Sequence, residues 1–123
     1  AYSLPHRNIR GIDHDVAYRA MGAGAIDVVD LYSTDAEISY YDLLALEDDL
    51  NYFPRYQAVI LYRLPLEQKL APMLGRLAGK ISNDRMVELN KLAKIDKVPS
   101  NKVAADFLEK DLNASVKIRK TTK

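Results

Sequence analysis

Ala25-Ile-Asp-Val-Val-Asp-Leu31, running directly into Tyr32-Ser-Thr-Asp35, decides how this chain is read. β-branched residues dominate the first part and Gly22-Ala-Gly24 punctuates the chain before it, so residues 25–31 read as a buried strand. Ser33, Thr34 and Asp35 can each bond a nearby backbone N–H, which makes the continuation a turn or a helix start. Tyr32 is thereby placed at a strand end, where ligand clefts form in folds that mix helices and strands. Upstream, Val16, Ala17 and Ala20 share a face at helical spacing, predicting a helix over residues 13–21 that the glycines terminate. Leu43-Leu-Ala-Leu46 is a second short apolar run, stopped by Glu47-Asp-Asp49. The pattern is α/β.

A second unit opens near residue 53. Pro54 forces Phe53 into an extended conformation, and Gln57-Ala-Val-Ile-Leu-Tyr62 reads as another strand with Tyr56 at its start. If the pleat already runs through Tyr56, alternation sends Arg55 to the opposite side. Helices follow. Residues 66–70 give one turn, and Pro72 fits best as the first residue of a new helix, because an interior proline costs about 3 kcal/mol. Gly79 closes that helix; Ser82 caps the next, with Met86, Leu89 and Ala93 inward. Ser100 is expected to cap the last, with Ala104, Phe107, Leu108 and Leu112 inward. Residues 114–123 are rich in Lys, Arg and Thr and are expected to fray as a basic tail.

Composition removes several function classes. With 123 residues and 48% hydrophobic content there is material for one small core. No apolar run approaches the roughly 18 residues that a membrane helix needs. The absence of cysteine excludes a disulfide framework, a thiol nucleophile and thiolate metal sites. Ala1-Tyr-Ser-Leu4 has neither a basic start nor a long apolar stretch, so a targeting segment is expected to lie upstream or to have been removed.

The net charge of +1 conceals a split, since residues 1–56 carry 4 basic and 10 acidic side chains while the remainder carries 14 and 7. The basic half intersperses its lysines with Asp84, Glu88, Asp106 and Glu109, the pattern of solvated helix faces, and nucleic acid is not expected as a partner. His14 lies between Asp13 and Asp15 at a helix start, where the carboxylates serve capping better than a metal site or a proton relay. Glu47, Asp48 and Asp49 lack the spacing and the central glycine of a calcium loop and read as a solvated turn. No converging nucleophile and base can be assembled, so no enzyme, no metal and no cofactor is expected.

Tyr32 and Tyr56 are the candidate binding residues. A phenol ring can offer its negative face to a cation that donates no hydrogen bonds, such as a trimethylammonium group, or can simply pack in a core with its hydroxyl satisfied. Tyr40 and Tyr41 could help line a cleft near the turn, or pack on a helix face or strand edge.

The blocks from Gly11 to Ala20, from Ile26 to Asp35, Leu46-Glu-Asp-Asp49 and Phe53-Pro-Arg-Tyr-Gln-Ala58, continued by Leu77-Ala-Gly-Lys-Ile-Ser82 and Met86-Val-Glu-Leu-Asn90, carry a family resemblance. Together they resemble the substrate-binding proteins of glycine betaine, choline and carnitine ABC transporters, over residues 11–112. The resemblance implies a type II periplasmic-binding-protein fold, two lobes of mixed sheet flanked by helices that close on a quaternary ammonium compound held between aromatic rings. Tyr32 and Tyr56 fall on two of that family's cage tyrosines. Arg55 stands where such proteins often have a second proline.

These proteins are longer, and the similarity is to their C-terminal part. Residues 1–52 would be the end of the second lobe, and residues 53–113 the return segment of the first. An N-terminal half would bring the other cage aromatics and the basic group for a ligand carboxylate, so the chain is expected to be a fragment, weak or inactive alone. The partners implied are a quaternary ammonium molecule, the permease subunits, and either the missing half or a second copy in a swapped dimer. The implied location is the periplasm or the outer face of the cytoplasmic membrane, by lipid anchor or by fusion to a permease. A sensing or structural module on the same fold is the alternative.

Overall fold

The structure is a computed structural model that describes residues 2–117. Among the described residues five α-helices follow one another: α1 (His14–Gly22), α2 (Glu37–Tyr40), α3 (Glu67–Leu74), α4 (Asn83–Lys94) and α5 (Ser100–Leu112). Single 3-10 turns, Leu64–Leu66 and Gly75–Leu77, flank α3. The core is small and consists of Ala17 and Tyr18 from α1, Ala36, and Val103, Ala105 and Phe107 from α5.

α1 starts where Asp13 accepts the backbone N–H groups of Asp15 (3.0 Å) and Val16 (3.3 Å), as its cap position predicts. Its inner face, however, is His14, Ala17, Tyr18 and Met21, the i, i+3, i+4, i+7 row, and Val16 turns outward. Tyr18 offers far more area to bury than Val16, and it sets the rotation of the helix. The helix stops at Gly24, whose φ of +69° is the left-handed geometry expected there. Gly22 has a different duty: a Cβ at that position would stand 2.5 Å from the Tyr41 ring, which lies against it.

α4 and α5 form an antiparallel pair. Ser82 caps α4 as expected, its Oγ accepting the Arg85 N–H at 3.2 Å. Leu89 and Ala93 are half-buried, while Met86 is at the border of exposure. Arg85 bridges the pair: its guanidinium bonds Glu88 (2.6 Å) on its own helix and Asp111 (2.7 Å) on α5, and lies 5.8 Å from the Phe107 ring centroid. Val103 and Phe107 share one side of α5 and Ala105 points to the other, so this helix is covered on two sides. Leu108 and Leu112 are half-buried as predicted, but Ala104 at the head of their row faces solvent.

Two helix boundaries depart from expectation. Ser100 does not cap α5; Pro99 occupies the cap, and its carbonyl accepts the Lys102 (2.8 Å) and Val103 (3.1 Å) N–H groups. Pro72 sits inside α3 and does not begin a helix. The carbonyl it leaves without a donor is that of Gln68, an exposed residue, so water can satisfy it. Gly79, with φ of +67°, closes the 3-10 turn behind α3 and not the α-helix itself.

The larger correction concerns the sheet. Residues 25–31 and 57–62, both expected as strands, join no ladder; the first bends at residues 25 and 27, and no strand is present among the described residues. A strand exists only against a partner, and neither segment meets one here. Residues 49–69 are exposed throughout, with Leu61 at 91%. The expected basic tail lies partly outside the described residues; α5 ends at Asn113, in the left-handed region at φ +50°.

Candidate functional site

One carboxylate oxygen organises the region around Tyr32. The turn over residues 32–35 is clasped from both ends, because the Asp35 N–H donates to the Tyr32 carbonyl (2.9 Å) and the Tyr32 N–H donates to Asp35 Oδ2 (3.0 Å). Helix α1 delivers two more partners to that oxygen. His14 and Tyr18, four residues apart on the inner face, meet edge to face with centroids 5.0 Å apart. The Tyr18 hydroxyl donates to Asp35 Oδ2 at 2.7 Å, and His14 Nε2 stands 2.9 Å from it. The His14 ring also lies against Tyr32, 5.7 Å between centroids and tilted by 53°.

Helix α4 holds the other side of the turn, reaching across the division expected at residue 53. Asn90 donates to the Thr34 carbonyl at 2.8 Å, and Asn83 to the Ser33 hydroxyl at 3.0 Å. At the end of α4, Lys94 Nζ bonds Asp15 of α1 (2.8 Å) and Glu37 of α2 (2.7 Å). Glu37 is buried, and its second oxygen has no partner. Residues 32–37 are thus tied to two long helices by side chains, while the Tyr32 ring projects outward, 62% exposed.

The electrostatics follow from these bonds. Burial alone would raise the Asp35 carboxyl, but hydrogen bonds from Tyr18, the Tyr32 N–H and His14 outweigh it and hold it below the ordinary carboxylate range. Burial, reinforced by the Asp35 carboxylate, pushes the Tyr18 hydroxyl well up. Lys94 is raised by its hydrogen bonds to Asp15 and Glu37, and Asp15 is lowered by the same contact with Lys94.

Of Glu47, Asp48 and Asp49, it is Asp48 that holds a turn, while the other two are exposed. Asp48 accepts the hydroxyl of Tyr2 and the backbone N–H groups of Tyr52 (2.9 Å) and Phe53 (2.8 Å), and the Tyr2 hydroxyl accepts the Leu50 N–H (3.0 Å). Asp48 is lowered chiefly by the Tyr2 bond, and Tyr2 is pushed up to about 12 by burial and by Asp48. Tyr2, Ser3, Leu4, Tyr52 and Phe53 line a shallow, mostly apolar cleft there.

Asp35, Asp15 and Asp48 all have folded-state values below the ordinary 3.8, so their contribution to stability is complete above that pH and is lost as pH falls through the lowered values. The urea midpoint is expected to drop between pH 6 and pH 3. An unchanged midpoint at pH 3 would remove these three carboxylates from the account of stability.

Of the two predicted binding residues, Tyr32 lies in the organised region and Tyr56 lies in the exposed segment, itself 78% exposed. Among the described residues the two rings make no contact with each other, and none lies against Tyr56. Tyr40 and Tyr41 stack edge to face on one another at 4.8 Å, with Tyr41 over Gly22, which is the packing alternative. Sequence reasoning missed Asp35, His14 and Tyr18. The available signals were the i, i+4 pair of aromatic rings and the aspartate three residues after Tyr32, a spacing at which a side chain can return to the backbone.

The chain belongs to the OpuAC family, the substrate-binding domain of ABC-type glycine betaine transport systems, which matches residues 1–110. That family has the periplasmic-binding-protein fold. Among similar proteins, the ergothioneine transport permease/ergothioneine binding protein EgtU of Helicobacter pylori (strain G27) is 34% identical over 113 residues, covering 89% of this chain and 20% of that protein. The carnitine transport binding protein OpuCC of Listeria monocytogenes serotype 1/2a (strain 10403S) is 33% identical over 114 residues, 90% of this chain and 37% of that protein. A glycine-betaine-binding protein of Pseudomonas aeruginosa is 29% identical over 104 residues, 82% of this chain and 33% of that protein. The chain therefore spans between a fifth and somewhat over a third of the length of these relatives. No solved structure matches it. No helix among the described residues is long and apolar enough to cross a membrane.

Proposed function

We propose that this chain is part of the solute-binding component of an ABC importer for quaternary ammonium compounds such as glycine betaine, choline or carnitine. Tyr32 and Tyr56 supply two walls of an aromatic cage around the trimethylammonium head. The family match over residues 1–110 carries this reading. It is supported by the relatives' named ligands, carnitine, glycine betaine and ergothioneine, all of which bear a trimethylammonium group. The protein binds and releases and performs no covalent chemistry. It works on the outer side of the cytoplasmic membrane and hands its ligand to permease subunits. Residues 1–52 belong to one lobe and residues 53–113 complete the other.

Magnitudes indicate how the work is divided. A cation over one ring is worth about 0.5–1 kcal/mol when exposed and about 2 kcal/mol when desolvated, whereas micromolar affinity needs about 8 kcal/mol. Two exposed tyrosines fall well short. The remainder has to come from further rings, from a partner for the ligand carboxylate and from the exclusion of water as lobes close.

Calorimetric titration with glycine betaine, choline and carnitine tests the reading. Residues 1–123 alone are expected to give no measurable heat at millimolar ligand, and the full-length protein is expected to bind at least one of the three at micromolar concentration. In the full-length protein, Tyr32→Ala or Tyr56→Ala is expected to weaken binding by about tenfold or more, the worth of one desolvated ring. Full affinity in both variants would remove these tyrosines from the cage.

A further inference from the structure

We infer that Asp35 is the positioning residue of this site, its Oδ2 gathering the Tyr18 hydroxyl, His14 and the Tyr32 N–H so that the Tyr32 ring is held ready for a quaternary ammonium head. The inference rests on the proposed binding role of Tyr32 and adds to it the means by which the ring is oriented.

Three observations carry it. First, one oxygen takes three partners at 2.7, 2.9 and 3.0 Å, and they come from three places: the buried core of α1, the first turn of α1, and the backbone of the binding residue itself. A capping carboxylate at a surface turn needs only the last of these. Second, Tyr18 is 1% exposed, so the hydroxyl that anchors Asp35 is fixed by the core and transmits the core's rigidity to the turn. Third, the His14 ring stands beside Tyr32 at a 53° tilt and blocks one direction of swing for a side chain that is otherwise in solvent.

The physical need is specific to this kind of ligand. A trimethylammonium group has no N–H, so no hydrogen bond can pull a misplaced side chain into register; attraction to a ring face depends on the face already pointing at it. Ordering a free side chain on binding costs about 0.5–1.5 kcal/mol, comparable with the whole cation–π gain at an exposed ring. A tyrosine that serves such a ligand is therefore useful only if its backbone and rotamer are set beforehand. Asp35 sets the backbone through the Tyr32 N–H, and it orients His14, which limits the rotamer.

The test uses the full-length protein and three substitutions, Asp35→Asn, Asp35→Ala and His14→Gln, with glycine betaine and carnitine as probes. The first readout is the Tyr32 amide resonance in the 1H–15N spectrum without ligand. Its proton is expected downfield in the wild type, because it donates to a carboxylate, to move upfield in Asp35→Ala, and to fall between the two in Asp35→Asn, which keeps an oxygen acceptor. The second is affinity by calorimetry. Asp35→Ala is expected to weaken both ligands about tenfold and Asp35→Asn about threefold, the ratio set by charged and neutral acceptors. His14→Gln leaves the amide bond in place but is expected to shift the Tyr32 ring protons and to weaken binding about threefold.

If Asp35→Ala does not fold, Asp35→Asn and His14→Gln decide the matter. An unmoved Tyr32 amide in a folded Asp35 variant, or ligand affinity equal to wild type in both Asp35→Asn and His14→Gln, overturns the inference. A wild-type protein that binds neither probe overturns the transport reading, while the amide shift, read without ligand, still decides whether Asp35 positions Tyr32.

Discussion

Tyr18→Ala is expected to lower the unfolding free energy by about 3–4 kcal/mol, the largest single effect in this chain, because it removes a ring that is 1% exposed and deletes the donor that anchors Asp35. The described core contains one other aromatic side chain, Phe107, and the other buried residue of α1 is Ala17, which is too short to fill the space a lost ring leaves. Tyr18→Phe separates the two causes. It keeps the ring and loses only the hydroxyl, so it is expected to cost about 1–2 kcal/mol, the worth of a hydrogen bond to a charged acceptor. Urea denaturation of the two variants gives both numbers. Equal losses would mean that the ring contributes little and that the hydroxyl is everything; a loss below 1 kcal/mol in Tyr18→Ala would mean that α1 is not part of the cooperative core.

Lys94→Met is the second large effect. Lys94 Nζ binds Asp15 and Glu37 at once, and Glu37 has a side chain only 8% exposed whose other oxygen already lacks a partner. Removing the ammonium leaves a buried carboxylate with nothing to compensate it. Such a loss costs about 3–5 kcal/mol for a fully buried pair, and about 2–3 kcal/mol is expected here because the Lys94 side chain is 40% exposed and water can enter in its place. The double variant Lys94→Met, Glu37→Gln is expected to recover about half of that, since a neutral amide tolerates burial better than a charge. A double-mutant cycle in urea measures the coupling, and additive single effects would show that the contact contributes no stability of its own.

The sequence was legible where a rule is local. Asp13 and Ser82 cap because each puts an oxygen within reach of N–H groups two or three residues on, and Gly24 ends α1 because the backbone there needs a positive φ. It was less legible where side chains compete for burial. Val16 and Ala104 satisfy helical spacing as well as their neighbours do, but Tyr18 on α1, and Val103 with Phe107 on α5, bury more area and set the rotation. At α5 the cap falls on Pro99, one residue before the Ser100 that its side chain recommended, and the first helical bonds go to the Pro99 carbonyl.

The two expected strands failed for a different reason. Their pattern states what they would bury, but the partner that would complete a ladder is not contained in the pattern, and neither segment pairs within the described residues. The cluster at Asp35 was illegible as a whole, although each part was visible. Residues 14, 18, 32 and 35 come together only through the tertiary path of the chain, and the capping role read for the aspartates beside His14 gave no pointer to a carboxylate 21 residues away.

The bare stretch from Gln57 to Tyr62 has a consequence for handling the protein. Six residues with no charge, no proline and a Val-Ile-Leu centre are the composition that stacks into intermolecular cross-β fibrils when left uncovered. The chain brackets them with Pro54 and Arg55 on one side and Arg63 and Pro65 on the other, residues that stop a growing ladder by charge and by the missing N–H. Whatever finally covers this stretch, its flanks act as gatekeepers during the interval after synthesis when nothing yet does.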